Sequence, residues 1–138
     1  MKHQIPEILK SGGGAIVNMA SIAGIKASKI SSAYIASKHG VIGLTKAAAK
    51  EYGHLGLRVN TVCPAIIDTP MAKRISKNNE EFKKNSTKYP LGRTGTSNEV
   101  ASAVLWLCSN SSSFVTGHSL VIDAVSYTHL TLPTIYSV

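Results

Sequence analysis

Three short apolar runs constrain this chain more than any other feature, because each is bounded by glycine or proline and separated from the next by room for a helix. Ala15-Ile16-Val17-Asn18-Met19-Ala20 follows three glycines, Gly56-Leu57-Arg58-Val59-Asn60-Thr61-Val62-Cys63 runs up to Pro64, and Ser119-Leu120-Val121-Ile122-Asp123 follows Gly117. Runs this short and apolar suit strands buried on both faces, as in a parallel sheet. Parallel neighbours require crossover connections of about a dozen residues or more, and the intervening segments supply them. From about Ala33 to Leu55 the pattern predicts one long helix. Val100, Ala101, Val104, Leu105, Leu107 and Cys108 recur at helical spacing behind a capping box of Thr96 and Glu99. Ahead of the first strand, Ile5, Ile8 and Leu9 share a helical face that ends at Gly12-Gly13-Gly14. Strand, helix, strand, helix, strand predicts an α/β fold with a parallel sheet.

The 138 residues suffice for one compact domain. Ser, Gly and Lys crowd residues 21–32, which read as a loop, and residues 68–95 read as a polar, Lys-rich surface flap punctuated by Pro70, Pro90, Gly92 and Gly95. On the long helix Ala36, Gly40, Gly43 and Ala47 form a stripe of small residues that would let another helix approach closely. Each glycine there costs about 1 kcal/mol of helix propensity.

A net charge of +8 raises the question of nucleic acid, but the basic residues are spread from Lys2 to Arg93 without a dense patch or interleaved aromatics. The expectation is a solvated surface and no nucleic-acid partner. No apolar run approaches the ~20 residues of a membrane span, and no apolar core follows the basic N-terminus as in a signal peptide. A cytoplasmic protein with no membrane partner is expected. Cys63 and Cys108 show no disulfide or zinc pattern, and the five histidines show no ligand spacing, so no metal is expected.

One constellation carries chemistry. Ser21 ends the first strand, Tyr34 opens the long helix, and Lys38 follows four residues later on the same helical face. A phenol with a pKa of roughly 10 is a poor base at neutral pH, and an adjacent ammonium favours its phenolate. Such a tyrosine can move a proton to or from a carbonyl or hydroxyl oxygen, which the serine can hydrogen-bond as charge develops. A Tyr-x-x-x-Lys pair arises by chance about 0.4 times in a chain of this composition, and with the upstream serine about 0.05 times.

Gly14 to Ser21, then Ser32-Ala33-Tyr34-Ile35-Ala36-Ser37-Lys38-His39-Gly40, resembles the fifth strand and following helix of short-chain dehydrogenases/reductases. Arg58-Val59-Asn60-Thr61-Val62-Cys63-Pro64 resembles the family's next strand. Pro90-Leu91-Gly92-Arg93 and Glu99-Val100-Ala101 resemble its later loop and helix, and Val115-Thr116-Gly117 with Leu120-Val121-Ile122-Asp123 its last strand. The resemblance implies that residues 1–123 are the C-terminal half of such a domain, a partial Rossmann-type, doubly wound parallel sheet of three strands with crossover helices. It implies an oxidoreductase passing hydride between NAD or NADP and a small alcohol or ketone. Ser21 would position the substrate oxygen, Tyr34 would be the acid/base, and Lys38 would both tune Tyr34 and hold the nicotinamide ribose. Ile67, Thr69 and Met71 match the segment that contacts the nicotinamide carboxamide. The full-length protein is expected to be a homo-oligomer. Asn60 and Asp123 are read as structural, and Thr69 before Pro70 also reads as an ordinary helix cap.

The chain also departs from the family. It contains no Gly-rich turn for the pyrophosphate, nor the residue that selects NAD or NADP. Pro64-Ala65 stands where the family has Pro-Gly, and Ala124-Val125 follows Asp123 where it has glycine. Residues 124–138 carry no Lys, Arg, Asp or Glu, resemble translated vector sequence, and are set aside as an artefactual tail. The alternative reading is a catalytically inactive remnant serving as an oligomerisation or binding module.

Overall fold

The computed structural model describes residues 1–27, 31–76 and 89–126, together with residues 80, 82, 84 and 87. Three parallel strands form one sheet in the order β1 (Gly14–Met19), β2 (Leu57–Pro64), β3 (Ser119–Ile122). β1 pairs with β2 from Gly14↔Leu57 to Met19↔Val62, and β2 with β3 from Thr61↔Ser119 to Pro64↔Ile122. The central strand is buried at every position but Arg58, as its unbroken apolar run predicts.

Side chains of β2 alternate between two helical layers. Leu57 and Val59 meet Ile5 of α1 (Gln4–Lys10) and Ala48 and Ala49 of α2 (Ser32–Tyr52), while Cys63 packs on Ile42 of α2. Val62 points the other way, to Val100 and Leu107 of α4 (Ser97–Cys108). With helices on both faces the sheet is doubly wound, and each fully buried aliphatic contributes about 1.5–3 kcal/mol. The short α3 (Pro70–Ile75) begins the connection from β2 towards α4.

Polar side chains secure the connections. Arg58 reaches the end of α4, donating to the Leu107 and Ser109 carbonyls at 2.8 and 3.0 Å and to Ser112 Oγ at 3.0 Å. These are the carbonyls a helix end leaves without partners. Asn60 donates to Val115 O at 2.8 Å and accepts from His118 N at 3.0 Å, holding the loop into β3. Asp123 is buried at the end of β3 and accepts from Val125 N at 3.0 Å. Both therefore have structural work, as the sequence suggested.

Several expectations change. Residues 21–32 are not loop throughout, because Ile22–Gly24 forms a 3₁₀ turn capped by Ser21. The face of α4 that packs is narrower than its pattern: Val100 and Leu107 are buried and Ala103 and Val104 pack beside them, whereas Ala101, Leu105 and Cys108 are exposed. A helix lying on a single sheet buries only one stripe. On α2 the buried residues are Ile42, Thr45, Ala48 and Ala49. The small-residue stripe Ala36, Gly40, Gly43 and Ala47 faces outward, where it stays open to the approach of another helix, and a β-carbon on Gly40 or Gly43 would meet nothing within 4 Å. Of the two thiols, Cys63 is buried and Cys108 exposed. Most of residues 77–88 and the tail beyond residue 126 lie outside the described residues, as do Glu81, Lys83 and Pro133.

Candidate active site at the carboxyl edge of the sheet

Ser21 leaves β1 at the carboxyl edge of the sheet. Its Oγ accepts from Ala23 N at 3.2 Å, and its hydroxyl is only 3.5 Å from the Pro64 carbonyl, at the outer limit of a hydrogen bond. The Ser21 proton is thus weakly engaged. Tyr34 stands in the first turn of α2, 40% exposed. One turn on, the Lys38 ammonium lies 5.5 Å from the Tyr34 ring centroid and donates to Met19 O at 3.1 Å. Met19 is the last residue of β1, two positions before Ser21. Lys38 therefore ties the turn carrying the tyrosine to the strand end carrying the serine.

Gly24 makes this juncture possible. A β-carbon there would lie 2.7 Å from the Lys38 carbonyl oxygen and 2.9 Å from Ile42 Cδ1. Only a residue without a side chain lets the 3₁₀ turn after Ser21 sit against α2 at the level of Lys38. Sequence reading missed this residue. A glycine inside an otherwise apolar Ile22–Ile25 stretch was the available signal, but nothing local says what approaches it.

The second group of predicted residues follows the neighbouring strand. Ile67 forms a one-residue parallel bridge with Gly95, through the Ile66 carbonyl and the Asp68 amide. Neither polar backbone group of Ile67 is used in that bridge, and its side chain packs towards Val62, Val100 and Leu107. Only its backbone is left for a ligand. Thr69 caps α3, accepting from Ala72 N at 3.2 Å with Pro70 behind it, so the ordinary capping role is realised. Met71 is 58% exposed on α3. Among the described residues, no hydrogen bond or ring contact joins Ile67, Thr69 or Met71 to Ser21, Tyr34 or Lys38. Consecutive parallel strands nonetheless deliver both groups to one sheet edge, where open α/β sheets bind ligands.

Cys63 lies under this edge. Burial pushes its thiol pKa up, against the lowering effects of the Ser21 backbone and the Lys38 charge, which marks a packing residue. No cluster of three or more potential metal ligands occurs among the described residues, and none of their helices is long and apolar enough to cross a membrane.

Residues 1–124 match the family model described as Enoyl-(Acyl carrier protein) reductase. The cyclohexanol dehydrogenase of Acinetobacter sp. (strain SE19) is 48% identical over 123 residues, which are 89% of this chain and 47% of the relative. Among solved structures, the ligand-free aldohexose dehydrogenase of Thermoplasma acidophilum superposes with a TM-score of 0.87 at 37% identity, over 96% of this chain and 55% of that one. ElxO with NADP bound gives a TM-score of 0.84 at 36% identity, over 93% of this chain and 52% of that one. The chain thus spans about half the length of the relatives it matches. With its three-stranded parallel sheet and helices on both faces, it belongs to the short-chain dehydrogenase/reductase family.

Proposed function

We propose that this chain forms the catalytic half of an NAD(P)-dependent oxidoreductase acting on a small alcohol or ketone, with Tyr34 as acid/base. The observation that carries the reading is the position of Lys38, beside the Tyr34 ring and hydrogen-bonded to the strand end that leads into Ser21. In the oxidising direction the Tyr34 phenolate takes the substrate hydroxyl proton, and in the reducing direction the phenol returns it to the carbonyl oxygen. The Ser21 hydroxyl donates to the same oxygen and steadies its developing charge. A nicotinamide cofactor, when bound, supplies or accepts the hydride.

The residues present fit the nicotinamide end of such a cofactor. Lys38 uses one of its three donors on Met19 O, which leaves two for a ribose diol. The free N–H and C=O of Ile67 match the acceptor and donor of a carboxamide. Thr69 and Met71 follow Ile67 at the start of α3. Homo-oligomerisation of the full-length protein belongs to the same reading, supported by the outward-facing stripe on α2.

A chimaera tests it: the N-terminal half of the cyclohexanol dehydrogenase, joined in family register to residues 1–124 of this chain. It should oxidise a secondary alcohol with NAD or NADP, and Tyr34→Phe should lower kcat about 10²–10⁴-fold with an unchanged melting temperature. A folded but inactive chimaera, or a Tyr34→Phe variant of near-normal kcat, would remove Tyr34 from the acid/base role.

A further inference from the structure

The segment from Ile66 to Gly95 begins and ends at one place, just beyond the carboxyl end of β2. Gly95 N donates to Ile66 O at 3.2 Å, and Asp68 N donates to Gly95 O at 2.8 Å. The Tyr89 hydroxyl adds a side-chain link, accepting from Ile66 N at 3.3 Å. Tyr89 is partly buried beside Ala65, Ile122 and Asp123, where its ring lines a cavity of about 100 Å³. Together these contacts close a neck at the carboxyl end of β2. The neck has no room for a side chain at position 95, since a β-carbon there would lie 2.7 Å from Ile67 Cδ1. That methyl is the free end of a flexible side chain, so an alanine displaces Ile67 and does not break the fold.

We infer that Tyr89 and Gly95 are positioning residues, which close the neck of the 66–95 segment and so fix where the Ile67 backbone meets the cofactor. The inference rests on the reading above that Ile67 lies in the cofactor site. Tyr89 acts through the Ile66 amide, one peptide before Ile67. Gly95 acts through the bridge and through the space it leaves for the Ile67 side chain. The Ile67 N–H and C=O stay available because the bridge uses its neighbours' polar groups.

The test reads cofactor KM against kcat in the chimaera, and amide exchange in the 138-residue chain. Gly95→Ala should raise cofactor KM about tenfold and Tyr89→Phe about threefold, each with kcat within about threefold. Ile67→Val removes the clashing Cδ1, so the Gly95→Ala/Ile67→Val double variant should return to within about twofold of the KM of Ile67→Val alone. In the chain itself, Tyr89→Phe should speed exchange at Asp68 and Gly95 about tenfold and leave Val59 and Val62 unchanged. A merely structural glycine would lower the melting temperature and the active fraction without moving KM. An active chimaera whose cofactor KM is indifferent to both substitutions, or in which Ile67→Val gives no rescue, overturns the positioning role while the proposed function stands. An inactive parent chimaera overturns the proposed function and this inference with it.

Discussion

The turns that follow β1 and β3 leave the same edge of the sheet, but they are built from differently suited residues. After β1, Ser21 caps the 3₁₀ turn and Gly24 stands where a β-carbon would strike the Lys38 carbonyl. Every demanding position there holds a residue that meets the demand. After β3, Asp123 accepts from Val125 N and Ser126 N closes back on Asp123 O, and the backbone passes through positive φ at Ala124 (47°) and Val125 (67°). Such angles suit glycine, and a β-branched residue at positive φ is strained. The family match ends at residue 124, where this misfit begins. The turn proposed to carry the chemistry is matched residue by residue to its geometry. The turn after β3 instead bears the strain of two non-glycine residues at positive φ.

The largest test of this contrast is Gly24→Ala. Its methyl meets the Ile42 side-chain end at 2.9 Å and also the Lys38 carbonyl oxygen at 2.7 Å, and the helix backbone yields far less readily than a side chain, so the substitution should destabilise the chain by about 1–3 kcal/mol in urea denaturation. It should also cut kcat in the chimaera by moving Lys38. A neutral effect would mean that the juncture has slack, and the contrast would lose its first half. Val125→Gly probes the other turn and should stabilise the chain by about 1 kcal/mol, because relief of the positive-φ strain outweighs the added freedom of the unfolded chain. Destabilisation by this change would show that Val125 packs well enough to offset its backbone angle.

The smallest effect concerns the connection after β2, which is held by charge. Glu99 accepts from the two terminal nitrogens of the Arg93 guanidinium, at 2.6 and 3.0 Å, and from the Thr96 amide and hydroxyl. The Arg93 hydrogen bonds, followed by those from Thr96, lower its pKa from 4.5 to about 2. Because the folded value is depressed, this contribution to stability is present above about pH 4.5 and is lost as pH falls through about 2. Both partners are exposed, so the effect is small. Glu99→Gln should flatten the fall in urea midpoint between pH 5 and pH 2.5, and an unchanged acid slope would show that the pair does not couple to folding.

Part of the molecule was legible because its signals are local. The three strands were apparent as apolar runs between glycines and prolines, and the Tyr34–Lys38 pair because helical spacing alone puts i and i+4 on one face. The Thr96–Glu99 capping box and the Thr69 cap needed only three or four consecutive residues. Other features were not legible. On α2 the inward Ala48 and Ala49 and the outward Ala36 and Ala47 are the same residue type, so size could not say which face the sheet would cover. On α4, Leu105 fits the apolar pattern and is 70% exposed, because the width of the buried stripe depends on what lies beneath it.

The sequence by itself determined the order of strands and helices, the family, and the local register of Ser21, Tyr34 and Lys38, since these follow from periodicity and short-range hydrogen bonding. The tertiary structure decided which glycines are indispensable, which helix face is buried, and how residues as far apart as Ile67 and Gly95 close one neck. Those outcomes depend on the distance of approach between segments remote in the chain, and a glycine in sequence looks the same whether a carbonyl or open solvent lies 3 Å from it.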